Sequence, residues 1–239
     1  MNEDSCLAGA VLSDASTDAA SPFSITAEPW IVAVSDGIGG HRAGAEASRE
    51  VVEALAGCKR VTPHGVADIL QRVNRRLCER GLKDSEFAAM GATVAGIGGG
   101  RRGFFAFNVG DSRVYREEEG RLTQITRDDS EAEELIDQGL LKADDGLRPG
   151  FLHALTQAIG GREEVVEIEA HTYPLHIDKS ARFLICSDGL TDMVPTSEIA
   201  EIMEAKRDAT AAVAALFNAA MDRGGLDNIT ITVVEIERR

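Results

Sequence analysis

The chain has 239 residues, 44% of them hydrophobic, enough for one substantial core. Its formal net charge of −15, from 25 basic and 40 acidic residues, disfavours a nucleic-acid backbone or an anionic membrane as the main partner. No apolar run approaches the ~18 residues of a membrane span, and the opening Met-Asn-Glu-Asp lacks the basic stretch of a signal peptide. These features lead to the expectation of a soluble, cytoplasmic protein in one domain spanning 1–239, and a monomer is expected beside them. The cysteines Cys6, Cys58, Cys78 and Cys186 show neither a CxxC pair nor zinc-ligand spacing, so reduced, mostly buried thiols are expected rather than a disulfide.

In chain order, Cys6–Leu12 reads as a first strand and Ser13–Ala27 as a polar loop. Trp30–Val34 is a short β-branched run long enough for a buried strand. Apolar residues at Ala43, Ala47, Val51 and Leu55 predict an amphipathic helix over Ala43–Ala56, ended by Gly57. Val66, Ile69, Leu70, Val73 and Leu77 predict a second helix packed beside it. Gly91–Ile97 and Gly103–Val109 flank a Gly-Gly-Gly-Arg-Arg turn, and Ser112–Glu117 pairs in turn with Leu122–Ile125. A short helix is expected over Glu131–Gly139, an irregular stretch over Leu140–Leu152, and strands over Val165–Ala170 and Arg182–Cys186. Thr196 and Asp208 read as N-caps of helices Ser197–Lys206 and Ala209–Asp222, the latter with Val213, Leu216, Phe217 and Met221 on its apolar side. Ile229–Ile236 is the last strand. Helices that come in pairs, instead of alternating singly with strands, argue for an α+β fold. The expected architecture is a central antiparallel β-sandwich with a helix pair on each outer face, four layers in the order αββα.

The acidic residues fall at the ends of these strands. Asp36 stops the Trp30–Val34 run and is followed by Gly37, Gly39 and Gly40. Asp188-Gly189 repeats the pattern after Arg182–Cys186, and Asp192 lies four residues further on. Glu3-Asp4 precede the first strand, Asp111 sits between two strands, and Asp227 precedes the last. Any one of them is explained as a turn residue capping its own backbone. Seven or more at one rim of a sandwich would repel one another unless a cation offset them. Oxygen-only donors select hard ions such as Mg²⁺ or Mn²⁺, and a shared cluster suits two of them.

The blocks that carry these residues are Asn2–Ser5 (NEDS), Val34–Gly40 (VSDGIGG), Gly91–Val94 (GATV), Val109–Arg113 (VGDSR), Arg127–Ser130 (RDDS), Leu155–Gly160 (LTQAIG), Ser187–Asp192 (SDGLTD) and Gly225–Asn228 (GLDN). In this order, over nearly the whole chain, they resemble the metal-dependent serine/threonine protein phosphatases of the type 2C (PPM) family, in its bacterial branch. The resemblance implies that Asp36 bridges two metals, with the Gly37 carbonyl on one of them. It implies that Asp188 and Asp227 ligate the second metal and that Glu3 and Asp4 act through metal-bound water. It assigns Asp111 to a third, weaker metal site shared with Asp188, places Asp192 near that site, and identifies 131–152 as a flap-like segment.

The same resemblance implies hydrolysis of phosphoserine and phosphothreonine in proteins by a metal-bridged water, without a phosphoenzyme and in opposition to a protein kinase. Mn²⁺ or Mg²⁺ is the implied cofactor. Two other readings stand beside it: a phosphatase-like module that only binds partners, and a two-metal hydrolase of small phosphoesters. Cys186, inside an apolar run, reads as core and not as a nucleophile.

Two departures from the family pattern stand out. The family's phosphate-binding arginine would precede Met1, so either the start of the chain is missing or this member works without it; in the latter case Glu3 and Asp4 are expected on a frayed terminus. Ile38 stands where animal-type relatives carry a histidine, which leaves His41 as a remote candidate for the proton donor. The Gly96–Gly100 run reads as a turn, and the acidic run Asp128–Glu134 as a solvated helix start.

Overall fold

The computed structural model describes residues 2–14, 19–141, 154–162 and 164–237. The strands are β1 (Ser5–Ala8), β2 (Val11–Ser13), β3 (Trp30–Ser35), β4 (Gly37–Ile38), β5 (Gly91–Ala92), β6 (Val94–Gly100), β7 (Gly103–Val109), β8 (Arg113–Glu118), β9 (Arg121–Gln124), β10 (Ile159–Gly160), β11 (His171–Leu175), β12 (Ser180–Cys186) and β13 (Ile231–Glu237). The helices are α1 (His41–Ala56), α2 (Pro63–Lys83), α3 (Glu131–Asp137), α4 (Asp188–Thr191), α5 (Thr196–Ala205) and α6 (Ala209–Met221).

The strands form two main sheets and one small one. The first main sheet runs β11-β7-β6-β3-β1-β2, the second β13-β12-β8-β9, and β10-β5-β4 make the small third. The described pairings are antiparallel. Three apolar clusters fill the spaces between layers. Val51, Leu55, Val66, Leu70, Val73 and Leu77 of α1 and α2 pack on Leu7, Ile31, Ala33 and Phe107 of the first sheet. Val32, Val34, Ala95 and Ile97 meet Val114, Phe183, Ile185 and Ile236 between the two sheets. Tyr115 and Leu184 meet Ile199, Met203, Ala212 and Leu216 beneath α5 and α6. Alternate residues of β3 and β12 therefore serve different clusters, as the two-residue period of a strand buried on both faces requires. The result is the αββα order that the pairing of helices predicts.

Local departures have local causes. The Cys6–Leu12 run is broken into β1 and β2 by a turn at Gly9, whose φ of 63° suits glycine. The Gly96–Gly100 run belongs to β6, not to a turn: a methyl on Gly96 would stand 2.6 Å from the Phe107 ring, and one on Gly98 2.5 Å from Phe105. The strand expected over Val165–Ala170 begins instead at His171. The preceding backbone is satisfied by α2 side chains: Asn74 Nδ2 donates to the Val166 carbonyl at 2.6 Å, and Ile168 N donates to Gln71 Oε1 at 3.0 Å. Helix α5 starts at Thr196 after Pro195, so Thr196 is not its cap, whereas Asp208 does cap α6 by accepting from Ala211 N at 2.8 Å. The buried face of α6 is Ala212, Leu216 and Ala220, and Met221 is exposed. Helix α3 is capped by Ser130, and residues 142–153 of the flap-like segment lie outside the described residues.

Candidate active site

Asp36 follows the end of β3 and precedes β4. Its backbone is clamped by Thr93, whose N–H donates to the Asp36 carbonyl at 2.8 Å and whose carbonyl accepts from Ser35 Oγ at 2.6 Å. The Thr93 hydroxyl also lies 2.7 Å from Ser112 Oγ, which joins the turn at Asp36 to the turn at Asp111. Gly37 sits hard against two other segments: an added Cβ would meet the Gly44 carbonyl oxygen at 2.2 Å and the Glu3 carbonyl oxygen at 2.7 Å. Gly37 is glycine because α1 and the N-terminal segment press on it from both sides.

The N-terminal segment is tied down, whereas a frayed end is expected for Glu3 and Asp4 only if the chain works without the family's upstream arginine. Glu3 N donates to Asn228 Oδ1 at 2.7 Å, and Asp4 Oδ2 accepts from Ser187 Oγ at 2.9 Å and Thr230 Oγ1 at 2.6 Å. Asp4 is 2% exposed, and its Oδ1 is buried without a hydrogen-bond partner among the described residues. These contacts bring together the NEDS, SDGLTD and GLDN blocks. Gly189 allows the same closeness, since a methyl there would lie 2.1 Å from the Asn228 carbonyl oxygen. Asp188 opens α4, and Asp192 ends it with its N–H on the Asp188 carbonyl at 2.8 Å.

The electrostatics identify which carboxylates share a neighbourhood. Burial, then the charges of Asp4, Asp188 and Asp111, push the Asp36 carboxyl up to about 11. Burial pushes Asp4 up to about 6, partly offset by the hydroxyls of Thr230 and Ser187, with Asp188 adding to the rise. Asp111 is held well above the usual carboxylate range by burial, with Asp188 and Asp128 adding to it. Asp4 and Asp188 are thus the carboxylates that most strongly oppose ionisation of Asp36. Asp227 is exposed on the loop before β13, where its Oδ1 accepts from Asn228 N at 2.7 Å. Glu3 turns its Oε2 toward α1, where a methyl on Gly44 would meet it at 2.2 Å. Among the described residues, no three His, Cys, Asp or Glu side chains already stand as a set that could hold a metal ion. The donor chemistry is nonetheless that of a hard divalent ion: carboxylates and carbonyls, one buried carboxylate oxygen without a partner, and a mutual repulsion that a cation would relieve.

Other expected residues fall outside this neighbourhood or within the core. Cys186 is buried beneath α5 and α6, and burial pushes its thiol up to about 12, which excludes a thiolate nucleophile at neutral pH. None of the four cysteines is in a disulfide. Ile38 is half-buried in β4, and the His41 side chain lies outside the described residues.

The first two residues of the acidic run 128–134 are buried, not solvated. Asp128 and Asp129 are 2% and 6% exposed. Arg113 holds Asp128 through Nε at 2.9 Å and Nη2 at 2.6 Å, and Asp129 Oδ2 accepts from Gly110 N at 2.8 Å. The arginine in VGDSR was the available signal for the first of these contacts.

The sequence pattern of the protein phosphatase 2C family matches residues 9–228. The chain belongs to the protein phosphatase 2C family. Over 214 residues it is 33% identical to the serine/threonine phosphatase stp of Listeria monocytogenes, covering 86% of this chain and 84% of that protein. The crystal structure of the Mycobacterium tuberculosis serine/threonine phosphatase PstP/Ppp superposes with a TM-score of 0.81 at 27% identity, covering 100% of this chain and 93% of that one. The catalytic domain of PstP in complex with two manganese ions superposes with a TM-score of 0.75 at 29% identity, covering 98% and 91%. For a protein phosphatase 2C, the convergence of Asp4, Asp36, Asp111 and Asp188 on one rim is the feature that bears on chemistry.

Proposed function

We propose that this protein hydrolyses phosphoserine and phosphothreonine in other proteins at the carboxylate cluster between β3, α4 and the N-terminal segment. Its family makes it a metal-dependent protein serine/threonine phosphatase acting on phosphoproteins. The observation that carries the assignment to this cluster is the position of Asp36. Burial and three neighbouring carboxylates drive it to about 11, an arrangement that a bound cation would make favourable.

Asp36, the Gly37 carbonyl, Asp188 and Asp227 are the residues that would hold two core ions, Mn²⁺ or Mg²⁺. Glu3 and Asp4 would act through water, and Asp111, Asp188 and the nearby Asp192 would serve a third ion. When bound, divalent ions of this kind lower the pKa of water and offset charge on phosphoryl oxygens. The chain's own part is to keep the carboxylates ionised and fixed. Thr93 fixes the Asp36 backbone, and Ser187 and Thr230 hold one oxygen of Asp4 while the other is buried without a hydrogen-bond partner among the described residues. With Cys186 locked in the core as a thiol, the reading excludes a cysteinyl phosphoenzyme. A hydrolase of this class works against a protein kinase on the same substrates, and the reading includes a cytoplasmic monomer whose 1–239 form one phosphatase domain.

Purified protein with Mn²⁺ should release phosphate from a phosphothreonine peptide, and EDTA should stop it. Turnover unaffected by EDTA would overturn the metal-dependent assignment. Mn²⁺ binding without any phosphate release would favour a module that only binds partners, and release from small phosphoesters alone would favour the small-ester hydrolase.

A further inference from the structure

We propose that Asp128 and Asp129 are positioning residues that grip the turn carrying Asp111 from both sides, and that Asp129, through Gln157 and His171, locks this grip to β11 and the segment before β10. The proposal rests on the reading of Asp111 as a metal-site carboxylate given above.

Burying two adjacent carboxylates is costly unless each is paired and hydrogen-bonded. Both are fully matched here, and their partners flank Asp111. Arg113, two residues after Asp111, is bound by Asp128, which also accepts from Gln124 Nε2 at 2.7 Å. Gly110, one residue before Asp111, donates its N–H to Asp129 Oδ2, while Asp129 N donates back to the Gly110 carbonyl at 3.0 Å. Gly110 has a φ of 94°, a conformation with no side chain of its own to brace it, so the brace comes from Asp129.

The second half of the grip is a junction. Asp129 Oδ2 also accepts from Gln157 Nε2 at 2.9 Å, and Asp129 Oδ1 lies 2.9 Å from His171 Nε2. Gln157 in turn bonds both backbone groups of Glu169, accepting from its N–H at 2.7 Å and donating to its carbonyl at 3.0 Å. Thr156 N donates to the Asp129 carbonyl at 2.9 Å. One carboxylate thus connects the turn at 110–111, the segment at 156–157 and the start of β11. The turn is held against a repulsion: Asp188 and Asp128 both oppose the charge of Asp111, Arg113 favours it, and the bonds to Gly110 and Arg113 fix the backbone on either side.

The test uses the full chain and Mn²⁺ alone as probe, with the variants Asp129→Asn and His171→Ala. Calorimetric titration of the metal-free variants should show the weakest Mn²⁺ binding event weakened by about tenfold, with the tighter events unchanged. The Mn²⁺ concentration for half activation should rise, with the rate at saturating Mn²⁺ retained. Hydrogen exchange of the Gly110 amide in metal-free protein should quicken about tenfold. A lowered melting temperature and rate with unaltered Mn²⁺ dependence would mean a merely structural role and would sink the proposal, as would unchanged Mn²⁺ binding. If Asp129→Asn does not fold, His171→Ala, at a partly exposed position, decides. If the wild type binds no Mn²⁺, it is the metal-dependent assignment that fails, and unchanged exchange at Gly110 then decides against the grip itself.

Discussion

In the proposed reading the chemistry turns on Asp36, and its environment in the metal-free fold is unfavourable. It is taken from water and set against Asp4, Asp188 and Asp111, all of which oppose its ionisation. An Asp36→Asn variant removes the ionisable group but keeps the shape. Its rate on a phosphothreonine peptide should fall by at least about 100-fold if Asp36 is one of the residues that would hold the metal ions, as proposed. The metal-free variant should melt no lower than the wild type, because a buried carboxyl has been replaced by a neutral amide. The rise in melting temperature on adding Mn²⁺ should disappear. A variant that turns over at the wild-type rate would remove Asp36 from the mechanism.

At the scale of elements, α2 does more than cover the first sheet. Asn74, buried on its inner side, accepts from Gly160 N at 2.8 Å and donates to the Val166 carbonyl, so one amide fixes β10 and the stretch before β11. Asn74→Ala leaves both backbone groups without these partners and should cost about 1–3 kcal/mol in denaturant unfolding. The effect should concentrate locally, as faster hydrogen exchange around Gly160 and Val166. A loss under about 0.5 kcal/mol would show that water or a local shift replaces the amide. The same contacts explain why Val165–Ala170 is not a strand: its β-branched residues favour extension, but helix side chains 92 and 97 residues away in sequence take its backbone groups.

For the whole molecule, the raised carboxyls couple stability to pH. Asp4 moves from 3.8 to about 6 and Asp36 from 3.8 to about 11. A folded state that holds protons which the unfolded chain has released is stabilised relative to it at low pH. That contribution is complete below pH 3.8 and is lost as pH rises, through about 6 for Asp4 and on toward about 11 for Asp36. Metal-free protein should therefore lose stability as pH rises from 5 to 8, as far as these groups are concerned. Mn²⁺ binding must expel those protons, so the gain in melting temperature from Mn²⁺ should grow over the same range. Thermal melts with and without Mn²⁺ at several pH values measure both trends. A Mn²⁺ gain independent of pH would mean that these carboxyls are not the ones the metal meets.

Sequence alone determined the layering. The spacing of Ala43, Ala47, Val51 and Leu55, the apolar runs of β3 and β12, and the pairing of helices each state locally which faces must be buried. The acidic rim was legible for the same reason: strand ends followed by glycine are local signals. What only the tertiary structure decided was partnership across distance. Nothing near Asp128 or Asp129 in sequence marks them as buried; Arg113 and Gly110 do so, from a different turn. Glu3 and Asp4 are held by Asn228, Ser187 and Thr230, more than 180 residues away in sequence. A carboxylate's pattern in the chain is the same whether it faces water or another carboxylate, and only the folded geometry sets the burial and the neighbours that fix its chemistry.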